Sequence, residues 1–88
     1  MHSNFPNPFN PTTTIQYNLP EDGLVNITIY DLAGRLVKTL VSSSQNSGYK
    51  SIQWDATNNK NDPVAAGVYF YTLQVVELMH TKKMLLLK

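Results

Sequence analysis

The greatest concentration of potential ligand atoms lies in one polar stretch, Asp-Ala-Thr-Asn-Asn-Lys-Asn-Asp-Pro from Asp55 to Pro63. Asp55, Asn58, Asn59, Asn61 and Asp62 gather carboxylate and amide oxygens of the kind calcium prefers, which makes Asp55, Asn59 and Asp62 candidate calcium ligands. The stretch lacks the glycine at position six and the glutamate at position twelve of an EF-hand loop. Its ordinary reading is an Asx-rich turn whose side chains accept backbone hydrogen bonds, so no metal is assigned. His2 and His80 are far apart, and neither has a carboxylate or second histidine at ligand spacing, which argues against a zinc site. Serines are plentiful, but no nucleophile elbow or defensible triad histidine accompanies them. The carboxylates Glu21, Asp22, Asp31, Asp55, Asp62 and Glu77 sit in or beside predicted turns, where capping explains most of them. There are no cysteines, which excludes disulfides, thiolate metal sites and a cysteine nucleophile. The expectation is a protein that is not an enzyme, with no catalytic residues and no cofactor.

Two other stretches carry recognition chemistry. At the C-terminal end, Lys82, Lys83 and Lys88 bracket the apolar run Met84, Leu85, Leu86 and Leu87. Lysines protect an edge strand from aggregation, and the same residues can present a recognition surface. At the other end, Asn4 to Pro11 reads Asn-Phe-Pro-Asn-Pro-Phe-Asn-Pro. Three prolines fix φ and push the preceding residues toward extended geometry, which excludes a helix. Phe5 and Phe9 are expected to pin this arm to the body; an exposed proline-rich recognition peptide is the alternative. Seven basic and six acidic side chains give a net charge of +1, too weak for nucleic-acid binding by counterion release. No apolar run approaches the roughly 18 to 20 residues of a transmembrane span. The N-terminus has no secretory-signal pattern, so an exported protein would carry its signal elsewhere in a larger chain. Met1, His2 and Ser3 have no pattern and read as an added start, which leaves 4–88 as one domain.

The element that positions these groups is Gly67 to Val76, where seven of ten residues are aromatic or β-branched. It predicts a central strand with Tyr69, Tyr71, Leu73 and Val75 toward the core and Val68, Phe70, Thr72, Gln74 and Val76 away from it. Period-two patterns predict further strands at Thr13–Leu19, with Ile15, Tyr17 and Leu19 inward, and at Leu24–Asp31, with Val25, Ile27 and Ile29 inward. Arg35–Val41 is a third strand whose register the pattern does not determine, and Ser42–Ser47 reads as a flexible loop. Tyr49–Trp54 puts Ile52 and Trp54 inward, the indole N–H requiring a partner near the strand end. Glu77-Leu78-Met79-His80 is expected to form a hairpin into a last strand, Thr81–Lys88. Six or seven short strands at this spacing indicate an all-β antiparallel sandwich.

Taken in order, Pro6-Asn7-Pro8-Phe9-Asn10-Pro11, Tyr30-Asp31-Leu32-Ala33-Gly34-Arg35, Gly48 with Trp54-Asp55, Ala66-Gly67-Val68-Tyr69-Phe70-Tyr71 and Lys82-Lys83-Met84 resemble a known family. The set is similar to the C-terminal sorting domain, type A, carried by cargo proteins of the type IX secretion system of certain Gram-negative bacteria. It also resembles the immunoglobulin-like domain of the flagellar hook-capping protein, which shares the Gly-Val-Tyr strand pattern. The resemblance implies an immunoglobulin-like fold and a sorting module at the end of a larger exported cargo chain. It implies recognition by an outer-membrane translocon or shuttle protein, processing by a surface sortase, and passage through the periplasm to the outer-membrane surface or medium. By position, Pro6, Asn7, Pro8 and Phe9 form the entry motif, Gly34, Gly48, Gly67 and Tyr69 define the fold, and Lys83 with Met84–Leu87 matches the strand implicated in export. Tyr69, near the start of the central strand, suits a tyrosine-corner role. The alternatives are a structural assembly module of the hook-capping type and an accessory carbohydrate-binding module using Tyr30 and Phe70.

Overall fold

A computed structural model describes residues 5–75 and 78–87. It is an antiparallel sandwich of six strands: β1 (Thr13–Leu19), β2 (Gly23–Asp31), β3 (Leu36–Gln45), β4 (Gly48–Trp54), β5 (Gly67–Val75) and β6 (Leu78–Leu86). One sheet pairs β1 with β4, and the other has the order β3-β2-β5-β6. Strand alternation sorts the side chains as the periodicity predicts. Ile15, Tyr17 and Leu19 of β1, Val25, Ile27 and Ile29 of β2, and Tyr69, Tyr71 and Leu73 of β5 are buried between the sheets. Val75 and Ile52 pack on the rim of that core.

The structure corrects two sequence-based boundaries. Ser42–Gln45 is not a loop: β3 continues through it, pairing Gly23 with Gln45 and Asn26 with Ser42. Its outward polar side chains belong to an edge strand, where few apolar contacts are required. The ladder to β2 shifts register between Ile27 and Thr28 and again between Ile29 and Tyr30, opposite Leu40 and Val37. Each shift turns the following side chains to the other face, so β3 has no single alternation. The second correction concerns the last hairpin. Leu78, Met79 and His80 are already strand, paired with Val75, Gln74 and Leu73. The segment placed in that turn and β5's expected last residue, at positions 77 and 76, lie outside the described residues.

Aromatic rings tie the layers together. Trp54 is fully buried, with its ring centroid 5.6 Å from Phe9 and 5.3 Å from Tyr69, the latter edge-on. Its indole N–H donates to the carbonyl of Thr57 at 2.9 Å, just past the strand end. The arm joins both sheets. Phe5 exchanges backbone hydrogen bonds with Thr14 of β1, whereas Phe9 pairs in parallel with Leu86 of β6. The two phenylalanines differ in role. Phe9 is buried, but Phe5 is 53% exposed, so Phe5 holds the arm chiefly by its backbone hydrogen bonds.

That difference is measurable. Phe9→Ala should cost about 3–5 kcal/mol in denaturant unfolding, the usual loss for a fully buried ring. Phe5→Ala should cost less than about 0.5–1 kcal/mol, because its ring is half in solvent and its backbone bonds survive.

Candidate functional site

The two candidate recognition stretches, the arm and the terminal run, meet in space. Phe9 N–H donates to Leu85 O at 3.0 Å, and Leu87 N–H donates to Phe9 O at 2.8 Å. Two residues earlier the Asn7 side chain continues the same parallel pattern. Its Nδ2 donates to Lys83 O at 3.3 Å, and Leu85 N–H donates to its Oδ1 at 3.1 Å. A carboxamide carries the donor and acceptor of a peptide group, so Asn7 acts as one more rung of the ladder. Pro6 supplies a carbonyl to the buried Thr13 hydroxyl at 2.9 Å, fixing the arm's approach to β1. This use of Asn7 was not readable from the sequence, where its side chain resembles any turn asparagine.

From Lys83 to Leu87 the side chains divide by parity, and Lys82 is exposed although it shares the face of Met84. Met84 and Leu86 are buried in the core, whereas Lys82, Lys83, Leu85 and Leu87 are exposed. Lys88 lies outside the described residues. A partner meeting the folded domain therefore finds two ammonium groups and two leucines rather than the whole apolar run.

The family-motif residues serve the framework. Gly34 (φ 85°) closes the β2–β3 turn with its N–H on Asp31 O, and Gly67 (φ 145°) opens β5; Gly48 also has positive φ. No atom lies within 4 Å of a Cβ built on any of them, so conformation rather than space calls for glycine. Tyr69 donates its hydroxyl to Ala65 O at 2.6 Å, a tyrosine-corner geometry. Burial and the nearby Asp31 charge hold its phenol above the ordinary range.

The Asx-rich loop spends its oxygens on the protein itself. Asn58 Oδ1 accepts from Lys60 and Asp62 N–H, and Asn59 Oδ1 accepts from Thr39 N–H of β3. Asp55 accepts from the Thr57 hydroxyl. Lys38 Nζ enters the loop, 2.8 Å from Thr57 Oγ1 and 4.0 Å from Asp55 Oδ1. A cation thus already stands beside Asp55 and Asn61, and through Asn59 the loop caps the β3 edge. Among the described residues no cluster of three or more histidines and carboxylates could hold a metal. Tyr30 and Phe70, the candidate sugar platform, are cross-strand neighbours on the outer face, both half-buried.

Two carboxylates titrate below the usual range: Asp31 chiefly through the Arg35 backbone N–H, and Asp55 chiefly through the Thr57 hydroxyl. A depressed folded value gives stability above the unfolded carboxylate pKa, near 3.9, that is lost as pH falls through the folded value. The urea midpoint of Asp31→Asn/Asp55→Asn should therefore fall less than that of the wild type between about pH 5 and pH 2. For the arm, Asn7→Ala should cost about 1 kcal/mol. It should also speed hydrogen exchange at the Leu85 amide while leaving the Leu87 amide protected by Phe9.

Solved structures place this geometry among known proteins. PorU of Porphyromonas gingivalis, in its dimeric latent form, superposes with TM-score 0.74 at 25% identity, over 97% of this chain and 9% of that one. FlgD of Xanthomonas campestris, whose structure bears on the hook capping essential for flagellar assembly, gives TM-score 0.65 at 26% identity, over 85% of this chain and 55% of that one. PorZ of P. gingivalis, a surface component of the type IX secretion system, shares the fold with TM-score 0.67 at 21% identity, over 98% of this chain and 11% of that one. The chain thus spans a small part of the first two Por proteins' length and about half of FlgD's. No curated protein matches it significantly. The immunoglobulin-like domain of FlgD matches residues 10–78, most of the sequence, and the chain belongs to the FlgD Ig-like domain family.

Proposed function

We propose that this domain is a sorting module of a larger exported protein, read at the outer membrane through its terminal strand. The observation that carries the proposal is the hydrogen-bonded union of the arm, Asn7 to Phe9, with Lys83 to Leu87 of the terminal segment. The match to the FlgD domain covers 10–78 and so omits both partners in that union. The likeness to PorU and PorZ extends over nearly all of this chain, and PorZ belongs to a type IX secretion system. In this reading the core holds Met84 and Leu86 while Lys82, Lys83, Leu85 and Leu87 face a translocon or shuttle protein. The domain passes through the periplasm attached to its cargo, and a surface sortase then separates the two at the outer membrane. Tyr69 and the motif glycines serve by holding the fold that presents β6.

A second reading follows from the family itself. A structural Ig-like module of the hook-capping type would use its sheet edges for assembly contacts and would have no need of the lysines.

Removing residues 81–88 would strip Met84 and Leu86 from the core, so export must be tested without unfolding. A periplasmic reporter fused ahead of this chain, in a host with type IX secretion, should reach the cell surface. Lys82→Ala/Lys83→Ala should leave the thermal melt unchanged and strand most of the reporter in the periplasm. Undiminished surface delivery by that variant would sink the sorting reading and favour the assembly module.

A further inference from the structure

The outer edge of β6 is covered over only part of its length. The ladder to β5 runs without a register shift from Val75↔Leu78 to Gly67↔Leu86. In an antiparallel ladder alternate residues turn both N–H and C=O away from the partner strand. The arm's bonds show which these are: Lys83, Leu85 and Leu87 face outward, and Met79 and Thr81 share their parity. Among the described residues no hydrogen bond uses the outward backbone groups of Met79 and Thr81. The edge is thus paired from Lys83 onward and open before it.

Side chains around the open half have the features of a strand-docking site. On the inner face, where Leu78 and His80 continue the row of Met84 and Leu86, a crevice of about 60 Å³ is lined by Asn18, Pro20, Leu73, Val75, Leu78 and His80. Leu78 and Met79 are 63% and 60% exposed, large apolar side chains beside unpaired backbone. Lys82 and Lys83 stand at the far end of the open stretch, with no ion-pair partner among the described residues.

We propose that this half-edge takes an extended polypeptide segment of a partner by strand addition. One aliphatic side chain of that segment enters the crevice, and the acidic side chains that alternate with it turn to the other face, toward Lys83, with Lys82 at the end of the crevice row. Main-chain bonds supply affinity in such pairing, and side-chain pockets supply selectivity. The site continues a pairing that the arm already makes with the same edge, and the arm sets its far limit at Lys83. Charge selects the occupant. A second copy would bring its own Lys82 and Lys83 to the pairing, and β6 has no acidic residue to oppose them. An acidic segment meets them with complementary charge. Identifying that segment with the export machinery rests on the sorting reading above; the pairing itself does not.

The test uses the intact, isotope-labelled chain with two synthetic probes, Glu-Val-Glu-Val-Glu-Val and Lys-Val-Lys-Val-Lys-Val. The acidic peptide should shift the Met79 and Thr81 amide resonances and slow their exchange, leaving Leu87 unmoved, and the basic peptide should not. Thr81→Pro should abolish the response. It removes an outward N–H that makes no bond to β5, so the sheet persists. Lys82→Glu/Lys83→Glu should transfer the response to the basic peptide, a reversal that loss of folding would not produce. Absence of shifts, equal shifts with both peptides, or concentration-dependent shifts without peptide would overturn the proposal, the last because it would make a second copy the occupant. Peptide binding that survives in Thr81→Pro would also overturn it. Export lost with peptide binding intact would indict only the partner's identity, and export intact with no peptide binding would indict only the docking site.

Discussion

The contact between Phe9 and Trp54 is the constraint on which the rest of the structure depends. Trp54 ends β4 in the small sheet, and Phe9 sits in the arm alongside β6 in the large one. Their packing therefore fixes the arm, the last strand and the two sheets relative to one another. A buried aromatic side chain covers roughly 150–250 Å² and so contributes about 4–6 kcal/mol at the usual coefficient. A domain of this size has about 5–15 kcal/mol in all. Tyr69 extends the cluster by packing edge-on against the same indole, and its hydroxyl ties Ala65 to the start of β5. The polar atoms at the rim are met locally, by Thr57 O for the indole and by Ala65 O for the phenol.

A sandwich built from a two-stranded and a four-stranded sheet has exposed ladder edges, and unpaired edges invite association. This chain covers parts of them with irregular segments rather than more strands. The loop after β4 sends Asn59 N–H to Val37 O and receives Thr39 N–H on Asn59 Oδ1, closing part of the β3 edge. Phe5 covers Thr14 of β1 while Asn7 and Phe9 cover β6. The same sequences that looked like chemistry, an acidic Asx loop and a proline-stiffened arm, act here as edge protection. Proline suits the arm because a segment with few backbone donors cannot extend into a competing strand.

Alternation made β1, β2, β4 and β5 legible, because in each one face is more buried than the other. β3 was not, since its two register shifts break the period that a reader looks for, and its Ser-rich end is exposed. β6 was half legible for a related reason. Only Met84 and Leu86 are buried, and Leu78 to Lys83 have exposed side chains on both faces. Candidate site residues could be named from their types, the lysines and leucines of the last strand and the motif of the arm. Their meeting could not be read from composition or periodicity. Backbone hydrogen bonds leave no mark in composition, and a side-chain amide standing in for a peptide group leaves even less.

Register explains why the arm and the terminal strand belong together. A one-residue slip of β6 would bring Lys83 and Leu85 to the core and expel Met84 and Leu86. The apolar contrast between the two sets is what resists this from within the sheet, and Leu85 in the outward set weakens that contrast. The arm adds a second lock from outside. Asn7 bridges Lys83 and Leu85, and Phe9 bridges Leu85 and Leu87, so three successive outward residues are gripped in one register. With Phe9 anchored on Trp54, that register is fixed to the core rather than to the neighbouring strand alone. The orientation of Lys82 and Lys83 is then a property of the folded whole, which a terminal peptide of the same sequence would not possess.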